Sequence, residues 1–255
     1  MPNLKKITVR GVPLWMDLDD QILARHYDSH GAYEEMEFEL FKKAIRPGMN
    51  FIDIGAYVGD HTVFMSNFAG PEAKGYAIEA APGNYELLVK NLEENNIKNV
   101  KAIHAAAMNY NGETEIFLSS RNHGDHRVYD AHDEAMFYEQ RRTSVKIPCM
   151  TIDSLNFIPS IVKIDVQGAE MKVFAGMTKI LSTNIILFCE YWPYGLSRFG
   201  QPPTDMLHLL TNYGFSIFEI SEEKRDIIPV NINELTNRLQ GTEHCNLCCF
   251  KEKKE

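Results

Sequence analysis

After residue 48 the chain alternates short apolar runs with segments whose apolar residues recur at helical spacing. This alternation is typical of strand–helix–strand units, whose strands pair in parallel and are covered by helices. The pattern therefore predicts a doubly wound α/β fold around a seven-stranded, mostly parallel sheet. The predicted strands cover residues 50–55, 75–79, 100–105, 161–166, 185–190, 215–220 and 245–250. The predicted helices cover residues 60–69, 83–95, 169–181 and 204–213.

The beginning of the chain follows a different pattern. Two short apolar segments, at residues 7–12 and 13–17, predict a hairpin. Apolar residues at helical spacing over residues 33–45 predict a helix, and a proline–glycine pair follows it. We therefore expect an N-terminal cover over residues 1–46, made of a hairpin and a helix, and a core over residues 47–255.

One interval interrupts the alternation inside the core. Residues 114–119 and 144–150 have the pattern of strands, but the stretch 120–143 between them is long and polar. Polar loops longer than about 15 residues inside a compact domain are more often lids or binding loops than connectors. We therefore expect residues 112–150 to form an inserted hairpin that carries a lid.

Composition and charge narrow the function classes. The 255 residues, 44% hydrophobic and 24% charged, fit one globular α/β domain with an extension. The net charge of -9 argues against a broad phosphate-binding face, so we expect no nucleic-acid partner. No apolar run approaches the roughly 18 residues of a membrane span, and the polar start differs from a signal peptide. We therefore expect a cytoplasmic protein with no membrane association.

The five cysteines, an odd number, do not suggest a disulfide framework. Three of them form a C-x-x-C-C cluster of Cys245, Cys248 and Cys249, and this cluster leaves two alternatives. With a further ligand such as His244 it would bind zinc, whereas in a buried strand the thiols would act as small apolar side chains. The apolar pattern around the cluster favours the buried strand.

The strongest functional signal lies in residues 51–62, where an apolar strand turns through Gly55 and Gly59 into a helix. The missing Cβ atoms let a ligand approach the backbone, and the helix start offers free N–H groups. Asp53 would repel a pyrophosphate but attract the sulfonium and amino groups of S-adenosylmethionine. The spacing G-x-x-x-G also differs from the G-x-G-x-x-G dinucleotide fingerprint, so NAD is the weaker alternative. The candidate cofactor-binding residues of this turn are Asp53, Gly55, Ala56, Gly59 and Thr62.

The next strand ends at Glu79, and a carboxylate at this position can accept both ribose hydroxyls of a nucleoside. The alternative is a solvated glutamate at a strand end. We expect Glu79 to bind ribose because it follows the glycine turn, and we include its neighbour Ala80 in the site. After the third strand, Ala105 is a further candidate because small residues there leave room for adenine.

These motifs resemble those of the FkbM-type methyltransferases, and the resemblance covers most of the chain. The shared features are Gly31-Ala32-Tyr33-Glu34, Asp53-Ile54-Gly55-Ala56, Glu79-Ala80, Gly112, residues 162–170, Gly176, Glu190 and Asn246-Leu247. Family members commonly have asparagine in place of Tyr57 and glutamate in place of Gln167. The resemblance implies a class I S-adenosylmethionine-dependent methyltransferase with a Rossmann-like fold. It also implies O-methylation of sugar or natural-product hydroxyls.

Three residues are candidates for action on the methyl acceptor. Asp165 falls at the C-terminal edge of a strand, where its carboxylate would hold the acceptor hydroxyl and take its proton. Its alternative role is to cap the helix that begins near Ala169. Glu190 precedes the aromatic residues 191–194, which offer either a wall for the acceptor or packing under a loop. His126 is a candidate general base because the pKa of an unperturbed histidine is about 6.5.

Histidines and aspartates are dense over residues 123–133, which raises the alternative of a metal site in the insertion. Their spacing is loose, so we favour a polar lid and expect no metal ion. The sequence thus predicts an S-adenosylmethionine-dependent methyltransferase that acts on a small-molecule or glycan acceptor. A NAD-dependent oxidoreductase and a non-catalytic nucleoside-binding protein are the alternative functions.

Overall fold

The structure is a computed structural model that describes residues 2–31, 33–130 and 142–252. Its strands are β1 (Leu4–Val9), β2 (Val12–Asp17), β3 (Phe51–Ile54), β4 (Gly75–Glu79), β5 (Val100–His104), β6 (Ala106–Ala107), β7 (Gly112–Leu118), β8 (Thr143–Met150), β9 (Ile161–Ile164), β10 (Ile186–Tyr191), β11 (Ser216–Ser221), β12 (Asp226–Pro229) and β13 (Cys245–Phe250). Its α-helices are α1 (Leu23–His30), α2 (Glu35–Ala44), α3 (Asp60–Ala69), α4 (Pro82–Glu94), α5 (Glu170–Ala175), α6 (Thr178–Leu181), α7 (Pro193–Arg198), α8 (Pro203–Asn212) and α9 (Ile232–Arg238).

The main sheet has the strand order β12-β11-β13-β10-β9-β3-β4-β5. Neighbouring strands from β10 to β5 pair in parallel, whereas β13 lies antiparallel between β10 and β11. The predicted α/β class and the mostly parallel sheet are confirmed. The sheet has eight strands within the described residues instead of the predicted seven. The additional strand β12 is a four-residue edge strand after a charged turn, so it gives no distinct apolar run.

The two faces of the sheet are both covered, as the alternation of side chains along β3 shows. Ile52 and Ile54 pack in one apolar cluster with Phe174 of α5. Phe51 points to the opposite face, where it packs in a second cluster with Phe41 of α2. Successive side chains of a strand face opposite sides, so an apolar strand of this kind requires a helical layer on each face.

Helix boundaries differ from the prediction where packing interrupts the periodicity. The helix predicted over residues 169–181 is divided into α5 and α6 around Gly176. A Cβ at Gly176 would collide with the backbone oxygen of Met108. The two backbone segments therefore cross at a distance that only glycine allows. Helix α1 was not predicted, because only Ala24 and Tyr27 of its eight residues are buried.

The N-terminal hairpin packs on helix α4. The backbone N–H of Trp15 donates to Oδ1 of Asn91 at 2.6 Å, and its indole donates to Oε2 of Glu94 at 3.0 Å. Leu14 is buried in the same apolar cluster as Leu88 of α4. The hairpin therefore contacts the helix that follows β4. The division into a cover and a core at residue 46 stays a prediction.

Strands β7 and β8 pair antiparallel in the insertion, at the positions predicted for its two strands. Between them, the segment 131–141 lies outside the described residues. Before this segment, Arg127 is buried and donates to both carboxylate oxygens of Asp125 at 2.7 and 2.8 Å. Arg142 also donates to Asp125, at 2.8 Å. A buried ion-pair network thus holds the described part of the insertion against β7, and the predicted lid role stays a prediction.

The C-x-x-C-C cluster lies on β13, an interior strand of the main sheet between β10 and β11. Cys245, Cys248 and Cys249 are buried and carry free thiols, as do the two other cysteines. Their packing in the apolar clusters agrees with the buried-strand alternative. Across the described ranges, no helix has the length and apolar character needed to cross a bilayer.

Candidate active site

A cavity opens at the carboxyl ends of β3, β4 and β9, the edge at which open α/β sheets bind ligands. It contains about 880 Å³ of empty space, including its opening to solvent. Of the predicted site residues, the lining includes Asp53, Gly55, Ala56, Glu79, Ala80, Ala105, His126 and Asp165. Gly59, Thr62 and Glu190 instead lie behind the lining and form hydrogen bonds to Ala56, Asp53 and Gln167, respectively.

The turn after β3 depends on glycine at two positions. Gly55 has φ of +81°, and a Cβ there would collide with the backbone oxygen of Asp165. Gly59 has φ of +86° and packs against a leucine of α4, so it fixes the start of α3. Between them Tyr57 also adopts a left-handed conformation, with φ of +50°. Its backbone N–H donates to Oε2 of Glu79 at 2.8 Å, which links the turn to the end of β4.

Asp53 presents a buried carboxylate to the cavity. The residue is 1% exposed, and burial raises the pKa of its carboxyl group although Lys163 opposes this effect. The hydroxyl of Thr62 donates to Oδ2, whereas Oδ1 has no hydrogen-bond partner among the described residues. A buried acceptor without a partner destabilises the protein, so a ligand N–H group in the cavity would be favourable.

Glu79 is held rigidly at the end of β4. Its two oxygens accept backbone N–H groups from Tyr57 at 2.8 Å and from Ala81 at 2.7 Å. Burial raises the pKa of its carboxyl group to about 7, although these backbone donors favour the charged form. Each oxygen of a carboxylate accepts more than one hydrogen bond, so both remain capable of accepting a ligand hydroxyl.

Asp165 and Glu190 are connected by Gln167. Nε2 of Gln167 donates to Oδ1 of Asp165 at 2.7 Å and to Oε2 of Glu190 at 3.4 Å. The Asp165 side chain is 28% exposed toward the cavity, and Nζ of Lys163 lies 3.6 Å from its Oδ2. Burial and the nearby Asp165 carboxylate raise the pKa of Glu190. The amide of Gln167 thus connects the Asp165 carboxylate in the cavity lining to the Glu190 carboxylate behind it.

The alternative role of Asp165 as a helix cap does not fit the hydrogen bonds. The backbone N–H groups of Val166 and Gly168 donate to Oε1 of Glu170, at 3.3 and 3.2 Å. Glu170 is itself buried in the first turn of α5. Because Glu170 binds these amides, the exposed part of Asp165 is available for a ligand.

His126 lies in the cavity lining, in surroundings that disfavour the charged imidazolium. Burial, with the neighbouring His123 and Arg142, lowers the pKa of His126 to about 3. Its Nδ1 accepts the backbone N–H of Ser119 at 3.0 Å, so the proton of the neutral ring lies on Nε2. A ring in this state donates a hydrogen bond and is a weak proton acceptor, so the surroundings of His126 favour a hydrogen-bonding role over that of a general base.

Several lining residues were not predicted: Tyr27 and Glu34 come from the N-terminal elements, and His61 comes from the first turn of α3. Tyr27 of α1 reaches the cavity and donates its hydroxyl to Asp60 at the start of α3. Glu34 and His61 also line this side of the cavity. Glu34 belongs to a motif shared with the FkbM-type sequences, and this was the sequence signal that pointed to it. The position of Tyr27 carries no comparable signal.

The sheet order, the glycine turn and the acidic residue after the second core strand define a class I methyltransferase fold. The model of the family described as "Methyltransferase FkbM domain" matches residues 53–217. The chain belongs to this methyltransferase family. Among curated proteins, no sequence matches the chain.

Solved structures share the fold at low sequence identity. TYW2 from M. jannaschii in complex with AdoMet has a TM-score of 0.53 and 13% identity, over 99% of this chain and 88% of that one. TYW2 from P. horikoshii in complex with MeSAdo has a TM-score of 0.51 and 12% identity, over 99% and 73%. Methyltransferase FkbM from Methylobacillus flagellatus KT has a TM-score of 0.49 and 14% identity. That match covers 83% of this chain, which spans 50% of the M. flagellatus protein.

Proposed function

We propose that the chain transfers a methyl group from S-adenosylmethionine to a hydroxyl of a sugar or natural product. The observation that carries this proposal is that one cavity is lined by the glycine turn, by Glu79 and by the partly exposed carboxylate of Asp165. Family membership supports methyl transfer, and the AdoMet and MeSAdo complexes show which ligands the two TYW2 proteins of the same fold bind.

The cavity offers a partner for each part of this cofactor. Glu79 would accept the ribose hydroxyls, and the unpartnered Oδ1 of Asp53 would accept a hydrogen bond from the cofactor amino group. Gly55 lets the backbone approach the ligand, and Ala80 and Ala105 leave space on the adenine side. Gly59 and Thr62 have supporting roles, because they position α3 and the Asp53 carboxylate.

Asp165 is the proposed general base for the acceptor. When bound, S-adenosylmethionine supplies a methyl group on a sulfonium, which becomes a neutral thioether as the methyl leaves. The exposed oxygen of Asp165 would accept the hydrogen bond of the acceptor hydroxyl and then its proton. Lys163 and Gln167 stabilise and orient this carboxylate. Glu190 has a positioning role through Gln167, and His126 would donate a hydrogen bond from Nε2.

The proposed acceptor class and cellular compartment are supported by the carboxylates of the cavity, the net charge and the cysteines. Carboxylates suit a polyhydroxylated acceptor because they bind hydroxyl groups, and the net charge of -9 disfavours nucleic acid. A cytoplasmic location is part of the proposal, since five free and buried cysteines agree with a reducing compartment.

Cofactor titration followed by methyl transfer tests the proposed function. Isothermal titration should show binding of S-adenosylhomocysteine and not of NAD. Radiolabelled S-adenosylmethionine should then label a member of a panel of oligosaccharides and hydroxylated natural products. Binding of NAD alone would support the oxidoreductase alternative. Tight S-adenosylhomocysteine binding without transfer to any acceptor class would support the nucleoside-binding alternative.

Replacing Glu79 with alanine should weaken S-adenosylhomocysteine binding by about 1–3 kcal/mol, because hydrogen bonds to a charged group are lost. Isothermal titration measures the change. Glu86→Ala is the matched control, since Glu86 is an exposed glutamate on the adjacent helix α4. Equal affinities of the two variants would remove Glu79 from the cofactor site.

Cofactor affinity should also depend on pH through Glu79. Its carboxyl group has a pKa raised to about 7 by burial, and the ribose hydroxyls require the charged form as acceptor. Because protonation competes with binding, affinity should fall as pH decreases through 7, by up to about tenfold per pH unit. Isothermal titration with S-adenosylhomocysteine between pH 8 and pH 5.5 would measure this. The same slope in Glu79→Gln would assign the pH dependence to another group.

A further inference from the structure

Three potential metal ligands meet where helix α2 packs against helix α3. Glu34 precedes α2, Glu37 lies in its first turn, and His61 lies in the first turn of α3. One ligand atom of each side chain lies within 4.8 Å of the corresponding atoms of the other two. Metal–ligand distances of about 2.0–2.2 Å place neighbouring ligand atoms about 3–4 Å apart. The three side chains are therefore close to the spacing that one bound ion would require.

The ring of His61 provides a second observation that points to a ligand. His61 is 7% exposed, and its buried Nε2 has no hydrogen-bond partner among the described residues. The nearest carboxylate oxygen, Oε2 of Glu34, lies at 3.6 Å, beyond hydrogen-bond distance. A buried imidazole nitrogen without a hydrogen-bond partner is unfavourable. A cation bound between this nitrogen and the two carboxylates would supply the partner.

The surroundings of the cluster also favour a cation. Nδ2 of Asn246 donates to Oε1 of Glu34 at 2.5 Å and to Oε2 of Glu37 at 3.3 Å. Such bonds from a neighbouring side chain orient carboxylate ligands in metal sites. Further acidic residues lie near the cluster: Asp60 and Glu190 are buried and Asp165 is partly exposed, with the buried Lys163 as a compensating charge. Buried carboxylates in this density are stabilised by positive charge.

We infer that Glu34, Glu37 and His61 bind one divalent first-row transition-metal ion at the wall of the cavity. One imidazole nitrogen with two carboxylates is a donor set for Mn²⁺, Fe²⁺ or Zn²⁺, whereas Mg²⁺ and Ca²⁺ prefer oxygen ligands alone. Glu34 and His61 line the cavity, so the open coordination positions would face its interior. If the proposed methyl transfer is correct, an acceptor hydroxyl would be the ligand at those positions. This site differs from the metal site considered for the insertion.

Titration with Mn²⁺ tests the site without an activity assay. The six-line electron paramagnetic resonance signal of free Mn²⁺ should decrease as one equivalent binds to the wild-type chain. Glu37→Gln should weaken binding more than about tenfold, because it removes one charged ligand. Glu35→Gln, on the same helix but exposed, is the matched control and should bind as the wild type does. Excess Mg²⁺ should compete poorly.

A second pair of variants distinguishes loss of a metal ligand from loss of folding. His61→Ala should lose Mn²⁺ binding, whereas His208→Ala, which changes an exposed histidine of α8, should keep it. Circular dichroism establishes that each variant folds. For Glu37→Gln, S-adenosylhomocysteine binding in the presence of chelator is a second check, since Glu37 lies outside the cavity lining. Absence of Mn²⁺ binding by the wild type at millimolar ion would overturn the inference, as would binding retained in both Glu37→Gln and His61→Ala. If the wild-type chain bound Mn²⁺ but did not bind S-adenosylhomocysteine, the result would count against the proposed function and not against the metal site.

Discussion

Asp165→Asn should lower turnover by about a hundredfold to ten-thousandfold, the range expected for loss of a general base. The asparagine side chain keeps the shape of aspartate and can still accept the hydrogen bond from Gln167, but it does not take a proton from the acceptor. Affinity for S-adenosylhomocysteine should change little. The measurement compares kcat, KM and cofactor affinity for an acceptor found in the transfer assay.

Asp205→Asn is the matched control for this experiment, because Asp205 is an exposed aspartate on α8. Turnover of Asp165→Asn within threefold of this control would exclude Asp165 as the base. Glu190 would then be the next candidate, since its buried carboxyl group has a raised pKa and shares the Gln167 amide. Equal losses in kcat and cofactor affinity would instead indicate a structural defect of the cavity.

Gly55→Ala should destabilise the folded chain by about 3 kcal/mol or more and abolish cofactor binding. The residue has φ of +81°, which costs a side chain about 1–2 kcal/mol, and overpacking adds about 1–3 kcal/mol. The new Cβ would press on the backbone of Asp165, which cannot move without shifting β9 from β3. Urea unfolding gives the stability change, and isothermal titration with S-adenosylhomocysteine gives the binding change.

Gly83→Ala is the control for the glycine substitution. Gly83 lies in the first turn of α4 with open space where a Cβ would be, so alanine should be neutral or stabilise by up to about 1 kcal/mol. If Gly55→Ala were as stable as Gly83→Ala and still bound the cofactor, the close approach of the turn to β9 would not be a requirement of the fold.

The sequence by itself determined the parts of this protein that depend on local pattern. The apolar run of β3, the glycine turn, Glu79 and Asp165 are recognisable because each stands at a fixed position relative to a strand end. Parallel strands bring their carboxyl ends to one edge, so the approach of these residues to one cavity followed from the predicted topology. Edge strand β12 was missed because it is short and lies beside a charged turn.

Only the tertiary structure decided which distant segments meet and how deeply they are buried. Glu37 and His61 come together because α2 packs on α3, and no local pattern encodes that contact. The lowered pKa of His126 arises from burial and from neighbouring cationic groups, which sequence spacing does not reveal. The division of α5 from α6 likewise depends on a crossing of Gly176 over Met108. Periodicity reports the environment averaged along one element, whereas these features arise from long-range packing between elements.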